Sequence, residues 1–455
     1  MLIRFTVENV FSFGERKEFS MIPYSGFKTL KNHKYSILDF NVLKMASIYG
    51  ANGAGKSNLI KSLNLLQKLV LKEDIPFRLN QTQFKLVPKE EAKSQILAVE
   101  FFQEDCAFYY ALELSNGIIK TEELYESGLG LKADKLLYER RTDNKNKTTI
   151  NFFSDFEKEE KNKILKSVLI EEFIKPSEPI LKIISNRDNQ QLAIVKKAFN
   201  WFNDTLLIIT PESKPIGLAH EIDTEPDFKK YAEDLMCSFN LGITSLNSEN
   251  KDIYSFFGKD NKRDVDNIIK RVEESPSKIL ELINSRVNTI TVVKENEKIW
   301  VKQLKVGHSG IDNKNIMFDL EEESDGTVRL LDFLPAFKEV LLTKKVFIVD
   351  EIERSIHPLL IKELVTKFSL DNETRGQFIF TTHESNLLDQ EIFRLDEIWF
   401  AEKDKNGSTD LYSLSEFKEH KTIDIRKGYL NGRYGSIPFL ANLKDLNWHQ
   451  YDFKK

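Results

Sequence analysis

The sequence predicts an α/β protein whose parallel-sheet core is split by a long, mainly helical insertion. Three observations carry this. The apolar run Leu43-Lys-Met-Ala-Ser-Ile-Tyr49 leads into a glycine-rich loop, and the helix-compatible stretch Ser57-Asn-Leu-Ile-Lys-Ser-Leu-Asn-Leu-Leu-Gln67 follows it. Strand–helix alternation returns from Ile316 onward, with the buried-type strands Lys345-Val-Phe-Ile-Val and Gln377-Phe-Ile-Phe. Between them, residues 155–204 turn Lys/Glu-rich with apolar positions at helical spacing, as in Ile164-Leu-Lys-Ser-Val-Leu-Ile170.

The remaining elements follow in order. Residues 2–24 read as short strands and a turn. From Gln95 to about Tyr125 come consecutive strands, two of them joined by the turn Ser115-Asn-Gly117. Helical stretches are expected near 226–240 and 263–286, and Thr289 to Lys302 reads as a hairpin. The expected division is 1–150, 151–304 and 305–455. The fold is therefore a mixed or parallel sheet with N-terminal antiparallel strands, cut by an insertion.

Composition narrows the classes. The chain has 455 residues, enough for two or three domains, and no apolar run near the roughly 20 residues that span a bilayer. Its opening alternates like a strand and does not read as a secretion signal. Cys106 and Cys237 stand far apart, which argues against a disulfide framework or zinc site and fits a reducing cytoplasm. A net charge of −5 gives no bulk electrostatic case for nucleic acid.

The loop itself carries chemistry. Gly50, Ala51, Asn52, Gly53, Ala54, Gly55, Lys56 and Ser57 complete a G-x-x-x-x-G-K-S phosphate loop, and Asn58 follows. The glycines let backbone N–H groups turn inward around phosphate oxygens, and the helix N-terminus adds positive dipole. Lys56 is expected to reach the β/γ-phosphates of ATP, and the Ser57 hydroxyl to ligate Mg²⁺. Asp350 and Glu351, at the end of a buried strand, suit two roles. Asp350 would hold Mg²⁺ beside Ser57, and Glu351 would act as general base on the attacking water. Alone, such a strand end could equally be a solvated acidic turn.

His383 caps the next apolar strand; alone it reads as a satisfied polar residue, and a resemblance to ABC-type ATPases implies that it faces the γ-phosphate. Ser324-Asp-Gly326-Thr precedes a helix, so a hydroxyl and free amides are offered to a phosphate. An ordinary N-cap explains the same residues.

Taken together these features resemble the ABC-type ATPases of the SMC/RecF/OLD superfamily. More narrowly, they are similar to bacterial AAA-family ATPases of the RloA/AbiL type and the AriA-type ATPases of PARIS, a two-gene anti-phage system. The resemblance rests on Phe5-Thr-Val-Glu-Asn-Val-Phe-Ser-Phe13, the phosphate loop, the stretch from Phe318 to Leu330, Asp350-Glu-Ile-Glu-Arg-Ser-Ile-His-Pro358, and the tail Lys427 to Pro438. It implies a split ATPase head in which Ser324 and Gly326 contact nucleotide held by a second subunit, with Ser355-Ile-His-Pro358 as the D-loop. It implies a homodimer or higher oligomer and a separate nuclease effector, Toprim-like or similar, controlled by this chain in abortive infection. A phage-encoded trigger is expected, and no membrane. A RecF-like repair ATPase acting directly on DNA is the alternative. Gln81 and Gln83, near Pro76-Phe-Arg-Leu79, are the candidates for the Q-loop glutamine. His357 at the helix start and Gly432-Arg-Tyr-Gly435 in the tail each have a plain structural reading.

Overall fold

The computed structural model describes residues 1–72, 78–87, 93–258, 261–283, 289–312, 314–417 and 423–437. Two compact units emerge, Met1–Leu206 with Ile379–Lys455, and Leu207–Phe378. These divisions fall within strands, not at 150/151 and 304/305.

The first unit contains a seven-stranded antiparallel sheet. Its order is Thr148–Phe152, Lys135–Thr142, Ile118–Glu126, Cys106–Ser115, Gln95–Gln103, Leu2–Glu8 and Lys17–Ser20. Along Cys106–Ser115, Phe108, Tyr110, Leu112 and Leu114 are buried and their neighbours are less so, the period-2 mark of a sheet with one core face. Asn116 and Gly117 both take positive φ, 53° and 77°, as a two-residue hairpin with right-handed twist requires. Phe101 of this sheet stacks on Trp201 at 4.3 Å between ring centroids, and Phe202 meets both rings at steep angles.

A second sheet of the same unit holds the phosphate-loop strand Met45–Tyr49, buried throughout. It pairs in parallel with Ile398–Lys403, which pairs antiparallel with Thr409–Ser413. On its other side lies Gln377–Thr381, whose continuation Thr382 donates its N–H to Ile48 at 3.0 Å. The helix Lys56–Leu71 buries Leu59, Leu63, Leu66 and Val70 at i, i+4, i+7 and i+11, so its first turn is held fixed by the core.

In the second unit, Val346–Val349 neighbours the strand Leu206–Ile209, all but the first residue of which lies in this unit. The helix Asp325–Leu342 lays Phe333 and Phe337 against Phe347 of that sheet, and Phe347 stacks on Phe378 at 5.5 Å. A separate antiparallel sheet runs Ile243–Asp252, Lys298–Ser309, Thr289–Glu295, Ile279–Ile283, and Asn315–Asp319 pairs with the end of Lys298–Ser309.

The expected hairpin at 289–302 is present, turning through Asn296 and Glu297 at φ 47° and 63°. The helix expected over 263–286 stops at Glu274. Pro276 forces Ser275 into an extended conformation, φ −67° and ψ 132°, and Ile279–Ile283 becomes a strand. The stretch 151–304 thus carries sheet as well as helices. Among the described residues no helix is long and apolar enough to cross a membrane.

Candidate nucleotide site

The site residues fall into two sets, one in each unit. In the first unit the buried strand Met45–Tyr49 delivers the chain to Gly50, Gly53 and Gly55, at φ 157°, 77° and 112°. A side chain at Gly50 would strike the Ala401 carbonyl oxygen, and one at Gly55 the Thr409 hydroxyl. Both glycines therefore serve close approach as well as turning. Gly55 precedes the helix Lys56–Leu71, whose first turn has no acidic residue, leaving its amides and dipole for an anion.

Lys56 is 5% exposed. Its Nζ donates to the carbonyls of Gly50 at 2.9 Å and Ala51 at 3.2 Å, and lies 2.9 Å from Nε2 of His383. The ammonium can only donate, so the His383 nitrogen it meets is the unprotonated one. Two residues 327 positions apart in sequence are thus brought to the mouth of one loop.

Sequence reasoning missed a strap across the base of this loop. Thr409, fully buried, places Oγ1 2.9 Å from the Ala54 carbonyl oxygen and 2.8 Å from Ser12 Oγ. Its N–H donates to Ser12 at 2.7 Å, and Lys403 Nζ donates to Oγ1 at 3.1 Å. Threonine in a strand carries no motif, so only the pairing of Thr409–Ser413 with its neighbour reveals the contact.

Gln81 and Gln83 line a cavity of about 290 Å³ together with Phe11, Ser12, Asn58 and Lys403. Gln81 accepts from the Arg78 N–H, and Gln83 donates to the Lys93 carbonyl. Pro76 and Phe77 lie outside the described residues. The tail packs as a turn. Tyr434 is buried against Phe400, Tyr412 donates its hydroxyl hydrogen to the Tyr434 carbonyl, and the Ser436 N–H reaches Glu402 at 2.9 Å. That favours the structural reading of Gly432 to Gly435. Pro438 lies outside the described residues.

In the second unit, Asp350 is 3% exposed and its N–H donates to the Ile209 carbonyl at 2.8 Å. Glu351 follows at φ 52°, and Ser355 at φ 63°. A non-glycine residue held there stores strain, and such strain gathers at positions where a side chain must be aimed. Ser324 and Asp325 are exposed and Gly326 is half-buried. Ser324 is an N-cap, its Oγ accepting from the Thr327 N–H at 3.1 Å, so the bland reading holds locally. Gly326 has a further reason to be glycine: a Cβ there would sit 2.5 Å from the Ser355 carbonyl oxygen. The signature turn and the D-loop are packed backbone to backbone. His357 caps the helix Pro358–Leu370, its Nδ1 accepting from the Leu359 N–H at 3.3 Å, which is the structural reading.

A second missed element is Ile209–Lys214. Ile209 takes the Asp350 N–H, and Thr210 accepts from Arg329 Nη2 at 3.2 Å. Glu212 pairs with Arg354 at 3.3 Å, and Lys214 with Asp332 at 2.7 Å. Burial pushes the Asp332 carboxyl above its ordinary range, against the pull of Lys214. For Glu212 burial acts the same way, but the Arg354 guanidinium wins and holds it lower. Six residues thus touch the metal-type aspartate, the signature helix and the D-loop. No motif announces them.

Among the described residues no cluster of three or more His, Cys, Asp or Glu could hold a metal. A nucleotide-bound Mg²⁺ would take a hydroxyl, one carboxylate, phosphate oxygens and waters rather than a protein cage. Ser57 and Asp350 are the residues of the right type.

Residues 45–389 match the family described as "AAA domain, putative AbiEii toxin, Type IV TA system". The chain belongs to this family. The match takes in the phosphate loop, the signature turn, Asp350-Glu351 and His383. No curated protein matches the chain. Among solved structures it is similar to an SMC head bound to the C-terminal winged-helix domain of ScpA, at 12% identity and TM-score 0.41, covering 90% of this chain and 97% of that one. It is also similar to the SMC head domain from Thermotoga maritima, at 13% identity and TM-score 0.39, covering 90% and 98%.

Proposed function

We propose that the chain binds and hydrolyses ATP as the sensor or regulator subunit of a bacterial anti-phage system of the abortive-infection kind, and that it restrains a separate toxic nuclease. The observation that carries the ATPase part is the Lys56 ammonium held between two phosphate-loop carbonyls and His383, where a γ-phosphate would meet both side chains. The defence part leans on the family's printed description, which refers to a toxin and a toxin–antitoxin system.

In this reading the loop amides and Lys56 bind the triphosphate, and His383 faces its terminal phosphate. Ser57 and Asp350 are the residues whose chemistry would suit Mg²⁺, which would neutralise charge on the phosphate oxygens. Glu351 takes the proton of the attacking water. Ser324 and Gly326 supply a hydroxyl and an amide to the nucleotide of a second copy, so hydrolysis removes the charge that joins two subunits. The dimer's opening is then the signal the effector reads.

The test is Glu351→Gln. Turnover should fall by about 10² to 10⁴ while ATP still binds and the dimer persists on a sizing column with light scattering. A wild-type protein with no phosphate release above background would sink the hydrolase reading. Hydrolysis stimulated steeply by DNA at low salt would favour the repair alternative instead.

A further inference from the structure

A cavity of about 240 Å³ in the second unit lies beside the segment Ile209–Lys214, behind the turn at Asp325 and next to Ser355. With about 30 Å³ per water in the bulk liquid, it has room for one side-chain-sized group. The Arg329 guanidinium, from the signature helix, forms part of its wall and is only 6% exposed.

Arg329 is poorly satisfied. Nη2 reaches the Thr210 carbonyl at 3.2 Å and the Cζ atom lies 4.6 Å over the Phe333 ring, but Nε has no acceptor among the described residues. Nor does any described carboxylate pair with it directly. Asp332 is engaged by Lys214 and Glu212 by Arg354, so both act on Arg329 only through space, as Asp350 does. Burial pulls its pKa down. A buried cation without a close counter-ion is costly, and a ligand that supplies one recovers that cost.

The lining also limits what fits. Lys214, Arg329 and Arg354 are balanced in formal charge by Glu212, Asp325 and Asp332. A carboxylate facing Arg329 leaves the lining at a formal −1 and a phosphate dianion at −2, so beside three carboxylates the monoanion is the better tolerated. Pro211, Val328 and the 58% exposed Ile283 give the rest of the wall an apolar character.

We propose that this cavity is a carboxylate-binding site in which Arg329 receives the acid and Pro211, Val328 and Ile283 receive the carbon chain next to it. The acid is either a free organic acid or the terminal carboxylate of a protein segment. The site goes beyond the ATPase reading and does not depend on it, because its occupancy is read without nucleotide. Since Asp325 and Ser355 border the cavity, a bound acid touches the signature turn and the D-loop together.

Calorimetric titration of the full chain tests this with three probes: 4-methylpentanoate, a hexapeptide ending in leucine, and the same peptide with an amidated end. Saturable binding of an acid probe, weakened at least about tenfold by amidation, is expected. Arg329→Gln should abolish it. Ile283→Asp, at an exposed rim position that leaves the fold intact, should weaken it about fivefold or more by placing a like charge at the entrance. Binding of both acids points to the free-acid source, and of the peptide alone to a protein terminus. No binding by either acid up to about 10 mM overturns the proposal, as does equal binding of the amide or an unchanged affinity in Ile283→Asp.

Discussion

Lys56 Nζ lies 2.9 Å from His383 Nε2. The contact pins a histidine at the end of one strand to the lysine that opens the helix after the next strand in the sheet. Replacing His383 by Ala should leave ATP affinity within a few-fold of wild type and lower turnover by about 10²-fold, the scale for losing one preorganised electrostatic contact. Steady-state phosphate release and fluorescent-nucleotide titration separate the two. Equal losses in both would make His383 a binding residue only.

The closeness of Gly326 to the Ser355 carbonyl sets a second expectation. Gly326→Ala puts a methyl group 2.5 Å from that oxygen, so the signature turn or the D-loop must shift. Overpacking of this sort costs about 1–3 kcal/mol. The melting temperature should fall, and ATP-dependent dimerisation should fall with it. A variant as stable and as dimeric as wild type would show that this packing is not needed.

Thr409 offers a test of the strap beneath the phosphate loop. Thr409→Val keeps the shape but removes the hydroxyl from Ala54, Ser12 and Lys403. Leaving those buried groups without a partner should cost about 1–3 kcal/mol and weaken ATP binding, because the Ala54–Gly55 backbone loses its anchor. Chemical denaturation and nucleotide titration measure the two effects.

Glu178 gives the pH dependence a sign. Hydrogen bonds from Lys175 and Lys72 hold its carboxyl below the ordinary carboxylate range. A depressed carboxylate contributes stability that is present above its unfolded pKa and is lost as pH falls through its folded one. The pair is partly exposed, so the effect is small. Glu178→Gln should flatten the acid limb of a stability-against-pH curve by lowering stability slightly above about pH 6, where Glu178 is ionised, while leaving it unchanged below both pKa values. An acid limb identical to wild type would contradict this.

The parts of the fold that could be read in the sequence were those with strong local signals. Asn116-Gly117 and Asn296-Glu297 turn as hairpins, and the phosphate-loop strand and helix stand where the motif places them. Of the sheet spanning 243–319 only the Thr289–Lys302 hairpin was legible; Ile243–Asp252 ends in polar residues that show no clean alternation, and Ile279–Ile283 is only half-buried. The order of motifs singled out Lys56 and His383, but that their side chains meet came from the structure. Thr409, Arg329 and Ile209–Lys214 did not, since their roles come from long-range packing of residues that carry no local pattern.

The central claim is that each ATP is completed by residues of a second copy, and mixing two disabled variants tests it most directly. Lys56→Ala removes the phosphate grip, and Ser324→Arg blocks the signature turn, so each protein alone should be inactive. In a twofold dimer with random pairing, half the dimers are mixed and each carries one intact site of two, so the mixture should recover about a quarter of wild-type turnover. A mixture that stays as inactive as its components, although mixed dimers are shown to form, would contradict the account.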